Sequence, residues 1–425
     1  MQAAGKEGGF SFSPKRRTHD IMTAADRPRV FLLLQGPMSY FFTYLGRALR
    51  ARGAVVKRIH VCPGDAAFWR GPGGVSYRGR PDDWPAYAAR FIADHGVTDI
   101  VSLGDGRRWH ADALPLAREA GVRVHVIEQG YIRPHYLTVE PDGTGGHTKF
   151  PRDWDAIAKL AELAPTPHPG FTSSFLMFSV MDVAFNLANI LFSWALYPHY
   201  KQHALDHPLR EWGGWIFKKA LRLKGRRAML EIVEGRVKAH QGPLYVFPLQ
   251  LETDYQIRLH GPPEGLRETL KRIIASFRAH APDDAMLAIK LHPLDNGWTP
   301  WQALIAAEMS GIEDRVVYLD GGDLDAILAR AAGCVVINST VGLTALTLGA
   351  PVMALGTAIY DLDGLTWQGD LDAFWTSAEK PDEARLALFL RALTAAIQVP
   401  GGFDGTGAKP GAANMADRMI APPPY

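Results

Sequence analysis

The chain has 425 residues, 47% hydrophobic and 21% charged, a composition that builds globular cores and excludes a disordered or fibrous protein. Its formal net charge of +2 leaves no basic excess for a general nucleic-acid binder, and its length suits two domains better than one. The two cysteines, Cys62 and Cys334, lie far apart in apolar runs, which fits a reducing compartment and argues against a disulfide scaffold.

Residues 1–28 read as a flexible tail. Lys15, Arg16 and Arg17 are followed by a polar stretch rather than an apolar run, so no secretory signal is expected. From 29 to 165, short apolar runs (Val30–Leu34, Val55–Val61, Thr98–Leu103, Val122–Glu128) alternate with helical segments such as Tyr40–Arg52 and Asp112–Ala120. Apolar strands separated by helices predict a parallel sheet covered on both faces.

Residues 166–242 lose that alternation and read as a helical insert. Phe171–Tyr197 is long enough to reach across a bilayer, but Asp182, Asn186 and Asn189 interrupt it, and a charge in mid-span is costly in lipid. The expectation is a helix buried between domains or lying on a membrane surface, not spanning one. The following stretch, Phe217–Arg227, carries Lys218, Lys219, Arg222, Lys224, Arg226 and Arg227. It suits either an anionic lipid surface or a solvated helix face.

The strand–helix pattern returns over 243–398. Predicted strands are Leu244–Leu249, Met286–Leu291, Val316–Leu319, Cys334–Ile337 and Val352–Leu355; predicted helices are Pro263–Ala279, Leu324–Ala332 and Val341–Leu348. Residues 399–425 are Gly/Pro-rich and are expected to be an irregular tail. The fold class is therefore α/β, with two Rossmann-type domains, a central cleft and a helical insert. Ligands of such sheets bind beyond the strand C-termini.

The polar motifs fall at those ends. Gln35-Gly36-Pro37 follows the first strand and allows close backbone approach or a simple tight turn. Asp105, with Arg107 nearby, follows the third and would hold a sugar hydroxyl or cap a helix. Glu128 ends the fourth, with Arg133 and His135 close behind. It would serve as a general acid/base or pair with Arg133. In the second domain Gln250 and Asp254 follow one strand, Lys290, His292 and Pro293 close the next, and Asn338-Ser339-Thr340-Val341-Gly342 opens a helix. Small hydroxyls at a helix N-terminus make a phosphate cradle, to which Lys290 and His292 would add charge. Three Asp-Leu-Asp strings, at 323–325, 361–363 and 370–372, read as caps or loops, so no metal requirement is expected.

Taken in order, several strings resemble the capsule polysaccharide synthesis family. They include Leu34-Gln35-Gly36-Pro37, Phe68-Trp69-Arg70-Gly71, Gly104-Asp105 and the run Glu128 to His135. Pro151-Arg152-Asp153, Tyr197-Pro198-His199-Tyr200, Lys290-Leu291-His292-Pro293, Asn338 to Leu343 and Gly364-Leu365-Thr366 complete the set. Within that family the chain looks most like the single-module β-Kdo transferase that starts the linker of lipid-anchored capsules (Kdo is 3-deoxy-D-manno-octulosonic acid). The resemblance implies a GT-B-like fold, a CMP-Kdo donor, a phosphatidylglycerol-type acceptor, often with one acyl chain, and a retaining outcome. It also implies a cytoplasmic enzyme, peripheral on the inner face of the inner membrane, with other capsule assembly proteins as partners and no nucleic acid.

Retention by double displacement needs a carboxylate nucleophile and an acid/base group. Asp254 is assigned as nucleophile and Glu128 as base, with Asp105 in reserve. Lys290, His292, Ser339 and Thr340 would bind the CMP phosphate and ribose, and Arg133 the Kdo carboxylate. Linker-extending relatives carry an Asp just before the glutamine matching Gln250, where this chain has Leu249. Three alternatives stand beside it: a nucleotide-sugar epimerase or hydrolase on the same plan, a non-catalytic export or assembly factor, and a transferase of a sialic acid or another CMP-linked nonulosonate.

Overall fold

The computed structural model describes residues 28–165, 170–172, 175–202, 206–221, 227–422 and 425. The N-terminal tail up to residue 27 lies outside them, as do Arg222, Lys224 and Arg226 of the basic stretch after Phe217.

Two sheets organise the chain. The first contains β1 (Val30–Leu33), β2 (Val55–His60), β3 (Gly74–Ser76), β4 (Asp99–Leu103), β5 (Arg123–Gln129) and β6 (Tyr136–Pro141). The second contains β7 (Leu244–Pro248), β8 (Met286–Lys290), β9 (Val316–Leu319), β10 (Gly333–Val336) and β11 (Val352–Ala354), and β12 (Gln398–Pro400) returns to the first. The strand orders are β12-β6-β5-β4-β1-β2-β3 and β11-β10-β7-β8-β9. β1 to β5 and β7 to β11 pair in parallel, whereas β6 pairs antiparallel with both β5 and β12. Each parallel set starts in mid-sheet, grows outward one way and then the other. Each therefore has a switch point, between β1 and β4 and between β7 and β10, where a ligand crevice opens. This is the GT-B-like arrangement of two Rossmann-type domains.

The unbroken apolar runs are explained by burial on both sheet faces. Phe31, Leu33, Val101 and Ile127 face one core, and Leu32, Ile100, Val124 and Val126 the opposite one. In the second domain Val246 and Val336 face one side, while Tyr245, Phe247, Leu287 and Ile289 face the other.

The end of the chain departs from the expected irregular tail. After helix Glu383–Ala396 the chain crosses back, β12 pairs with β6, and helix Ala408–Ile420 packs on helix Phe41–Ala51. Val399, Phe403, Met415 and Met419 are buried there. The glycines are contact surfaces rather than irregularity: a Cβ on Gly401 (φ +155°) would lie 2.2 Å from the Gly411 Cα. Only glycine lets strand end and helix approach that closely.

The insert also differs from a helix buried between domains. Helix Phe175–Leu196 docks through a narrow polar stripe. Phe185 is 2% exposed and stacks on Phe68, and Asn189 accepts from the Gly64 N–H at 2.8 Å. Asp182, Asn186 and Asn189, spaced four and three apart, share one helix face. The remaining faces are apolar and open to solvent, with Leu176 73% and Trp194 78% exposed. By length and composition Leu176–Leu196 is apolar enough to cross a membrane. Of the basic stretch, Lys218 turns inward: it is buried, donates to the Asp295 carbonyl at 2.8 Å and pairs with Asp320 at 3.6 Å. The side chains of Lys219, Arg222, Lys224, Arg226 and Arg227 lie outside the described residues.

Candidate active site

The loops after β1, β4 and β5 meet the loop after β7 across a cleft of about 380 Å³. Asp105, Arg107, Glu128 and Arg133 line it from the first domain and Asp254 and Gln256 from the second; Phe178 and Met181 of the insert helix form part of its wall. The sequence-assigned carboxylates thus converge.

Glu128 sits at the end of β5. The turn after β4 makes room for it, since Gly104 has φ +66° and a Cβ there would lie 3.2 Å from Glu128 Oε1. Thr144 Oγ1 donates to Oε1 at 3.2 Å, and Gln256 Nε2 reaches Oε1 at 3.2 Å and Oε2 at 3.3 Å. Burial, reinforced by the negative charges of Asp105 and Asp254, pushes the Glu128 carboxyl up to about 7, against the pull of those two donors. A group poised there can both hold and accept a proton at neutral pH.

Asp254 caps helix Tyr255–His260, accepting from the Gln256 N–H at 2.9 Å. It is open to solvent at the cleft mouth. The surrounding walls nonetheless raise its pKa by desolvation, against the cap bond and the Arg133 charge. Arg133 stands opposite, donating through Nε to the Gly130 carbonyl at 3.2 Å. Asp105 accepts from His147 Nδ1 at 2.9 Å. Arg107 donates to the buried Gln35 at 3.4 Å, so Gln35 acts behind the cleft wall.

Other assigned residues fall elsewhere. Gly36 packs on Phe42 and Gly342 on Tyr360, each with no room for a Cβ (2.5 Å and 2.3 Å to the ring atoms and hydroxyl oxygen). These glycines serve packing within their domains. His135 bonds the backbone of Phe171, with Phe171 N–H donating to its Nδ1 at 3.1 Å, and anchors the start of the insert. Lys290, His292, Pro293, Asn338, Ser339 and Thr340 stand at the second sheet's C-terminal edge but do not line the cleft cavity. Ser339 caps helix Thr340–Thr347 through the Val341 N–H. Burial and the nearby Arg133 lower the His292 pKa. Gln250 exchanges bonds with Asn338 at 3.0 and 3.3 Å, and Asn338 Nδ2 donates to the Gln256 carbonyl at 2.8 Å. The loops at the second switch point are thereby tied to the residue that holds Glu128. Leu249 is 2% exposed, inside the second core, so its side chain points away from the cleft.

Two contributors escape a reading by strand ends. Gln256 lies two residues past Asp254, and its reach to Glu128 depends on domain placement. Glu140, fully buried on β6, accepts from Tyr131 Oη at 3.0 Å and from Thr148. Burial pushes it up to about 8. The mixed sequence of β6 hides that strand and its carboxyl together.

A sequence model described as capsule polysaccharide biosynthesis protein matches residues 98–403. The chain belongs to that family. It is 31% identical over 382 residues to the capsule polysaccharide modification protein LipB of Neisseria meningitidis serogroup A, covering 87% of this chain and 89% of that one. It is 30% identical over 360 residues to the capsule polysaccharide export protein KpsS of Escherichia coli, covering 83% and 91%. Among solved structures, the Thermosulfurimonas dismutans KpsC β-Kdo 2,7 transferase aligns over 92% of this chain and 100% of its own, with 15% identity and a TM-score of 0.43. The S. aureus MnaA–UDP structure aligns over 93% and 95%, with 10% identity and a TM-score of 0.32.

Proposed function

We propose that this capsule-family protein is a retaining glycosyltransferase. It would move β-Kdo from CMP-Kdo to a phosphatidylglycerol-type acceptor and so start a capsule linker. The observation that carries the reading is a cleft in which Glu128 and Asp254 approach from opposite domains, beside the solvent-open apolar helix Phe175–Leu196.

In this scheme Asp254 attacks the anomeric carbon as CMP leaves, forming a glycosyl ester. Glu128 then takes the acceptor hydroxyl proton, and the hydroxyl oxygen displaces Asp254. Two inversions give net retention. Arg133 matches the sugar carboxylate. Lys290, His292, Ser339 and Thr340 hold the CMP phosphate and ribose at the sheet edge. No metal is needed for CMP departure in this scheme. The test is incubation with CMP-Kdo made in situ and a fluorescent lyso-phosphatidylglycerol. A product carrying one Kdo is expected; its absence where a known transferase works overturns the reading. Asp254→Ala should lose roughly 10⁴-fold in turnover, and a rate near wild type would move the nucleophile to Asp105.

The protein would be cytoplasmic and peripheral on the inner face of the inner membrane, with the apolar helix face in the lipid headgroup boundary. The polar stripe of that helix is occupied by protein, which favours lying on the surface over crossing it. Phe178 and Met181 border the cleft, giving an acyl chain a path toward Glu128. A soluble epimerase has no use for an exposed apolar helix whose Phe178 and Met181 border a cleft of ionisable groups. Leu191→Glu combined with Trp194→Glu should weaken flotation with phosphatidylglycerol vesicles at least tenfold, since each buried side chain is worth about 1.5–3 kcal/mol. Unchanged flotation would remove this helix from the membrane contact.

A further inference from the structure

We propose that Asp105, His147 and His260 form a site for a divalent first-row transition ion of the zinc type, bridging the two domains. The inference is independent of the transferase reading. Asp105 follows β4 and His147 ends the short turn Gly145–His147, both in the first domain; His260 ends helix Tyr255–His260 of the second. Their donor atoms all lie within 4.8 Å of one another. The Asp105 carboxylate is 2.9 Å from His147 Nδ1, and the two imidazole rings stand nearly perpendicular with centroids 5.0 Å apart.

His260 supplies a second, separate observation. It is 8% exposed, and its Nε2 has no hydrogen-bond partner among the described residues. A buried imidazole nitrogen without a partner is costly unless something binds it. The ring is gripped by glycines: a Cβ on Gly145 would lie 2.7 Å from its Cδ2, and one on Gly146 2.7 Å from its Nδ1.

Two imidazoles and one carboxylate suit zinc and its first-row neighbours, whereas magnesium and calcium prefer oxygen throughout. Bonds of about 2.0–2.2 Å place tetrahedral ligand atoms about 3.3–3.6 Å apart. The Asp105–His147 contact of 2.9 Å is shorter than that and the outer limit of 4.8 Å is longer, so binding rearranges the side chains; His147, 60% exposed, has the freedom to swing. The ion replaces the proton shared by Asp105 and His147, which leaves to solvent. Three protein ligands leave a fourth position open, and the ion pins the domains across the cleft edge.

The test titrates tag-free, metal-stripped full-length protein with Zn²⁺, and separately with Co²⁺ followed by its visible spectrum. Expected results are one ion per chain, a tetrahedral cobalt spectrum, and a Tm that climbs with ion concentration. Mg²⁺ should produce none of these. His147→Ala, a change at a mostly exposed side chain, and His260→Gln should each weaken binding by more than the roughly 10–100-fold that an outer-shell change costs. Substoichiometric binding, or wild-type affinity in the folded His147→Ala variant, overturns the site. Neither donor nor acceptor is present, so failure here leaves the transferase reading untouched, and failure of transfer leaves this site standing.

Discussion

Glu128→Gln is expected to lower kcat/KM for sugar transfer by about 10²–10⁴-fold, the usual worth of a positioned general base, while raising stability at neutral pH. Both effects come from one environment. Asp105 from the loop after β4 and Asp254 from the second domain press negative charge on Glu128, and Thr144 and Gln256 donate to it. Arg133 and Arg107 also line the cleft. Burial and like charge prevail, holding the group near 7. As a base it acts only when ionised, so kcat/KM of the metal-free wild type should rise with pH through about 7. The glutamine variant should lose that ascending limb. A wild-type profile that stays flat over roughly 1.5 pH units either side of that midpoint would assign the base elsewhere.

The stability sign follows from proton counting. The unfolded chain releases this proton near the ordinary glutamate value of about 4.3, whereas the folded chain keeps it to about 7. Between those values the folded state binds more protons, so stability falls as pH rises through that window. Above it the full cost is present, and a neutral glutamine removes it, on the order of 3–4 kcal/mol. Thermal melts of the two proteins at pH 8 should show the variant higher, and at pH 4 the gap should close.

Asp65→Ala is expected to cost about 3–5 kcal/mol of folding stability. Arg58 and Asp65 are each 1% exposed and 3.6 Å apart. Arg58 lies between Phe42 and Trp69, with its carbon centre 5.3 Å from each ring. Its Nε and Nη1 have no hydrogen-bond partner among the described residues, so removing Asp65 strands a buried cation. Asp65 also accepts from the Val61 N–H at 3.2 Å, which holds helix Pro63–Ala67 in place. Gly64 of that helix docks Asn189, so the variant should also bind vesicles less well. Replacing both partners by apolar residues, Arg58→Met with Asp65→Leu, should recover most of the stability. A loss below about 1 kcal/mol in urea melts of Asp65→Ala would show that the pair does not hold this corner.

The parts of the fold legible in sequence are those with strong local signals. The nine predicted strands correspond to β1, β2, β4, β5 and β7 to β11 within a residue or two at each end, because strands buried on both faces are written as unbroken apolar runs. The three missed strands lack that signature. β3 is three exposed residues, β6 carries the buried Glu140, and β12 sits in a Gly/Pro-rich stretch. The insert's helix was legible, but not the direction of its faces. Polar interruptions normally mark the solvent side; here they mark the docking side, since Asn189 has the Gly64 amide to satisfy it.

By itself, the sequence determined that this protein has two parallel-sheet domains, that polar residues cluster at their strand ends, and that it resembles the capsule family. Those properties reside in short windows, where hydrophobic period and turn chemistry act locally. Tertiary structure alone decided what meets at the cleft. Glu128 and Gln256 are 128 residues apart, and Asp105, His147 and His260 lie on three separate segments from two domains. No spacing encodes such contacts, because they depend on how one sheet is set against the other. The same placement, through burial and the charges of Asp105 and Asp254, makes Glu128 a group that titrates near neutrality.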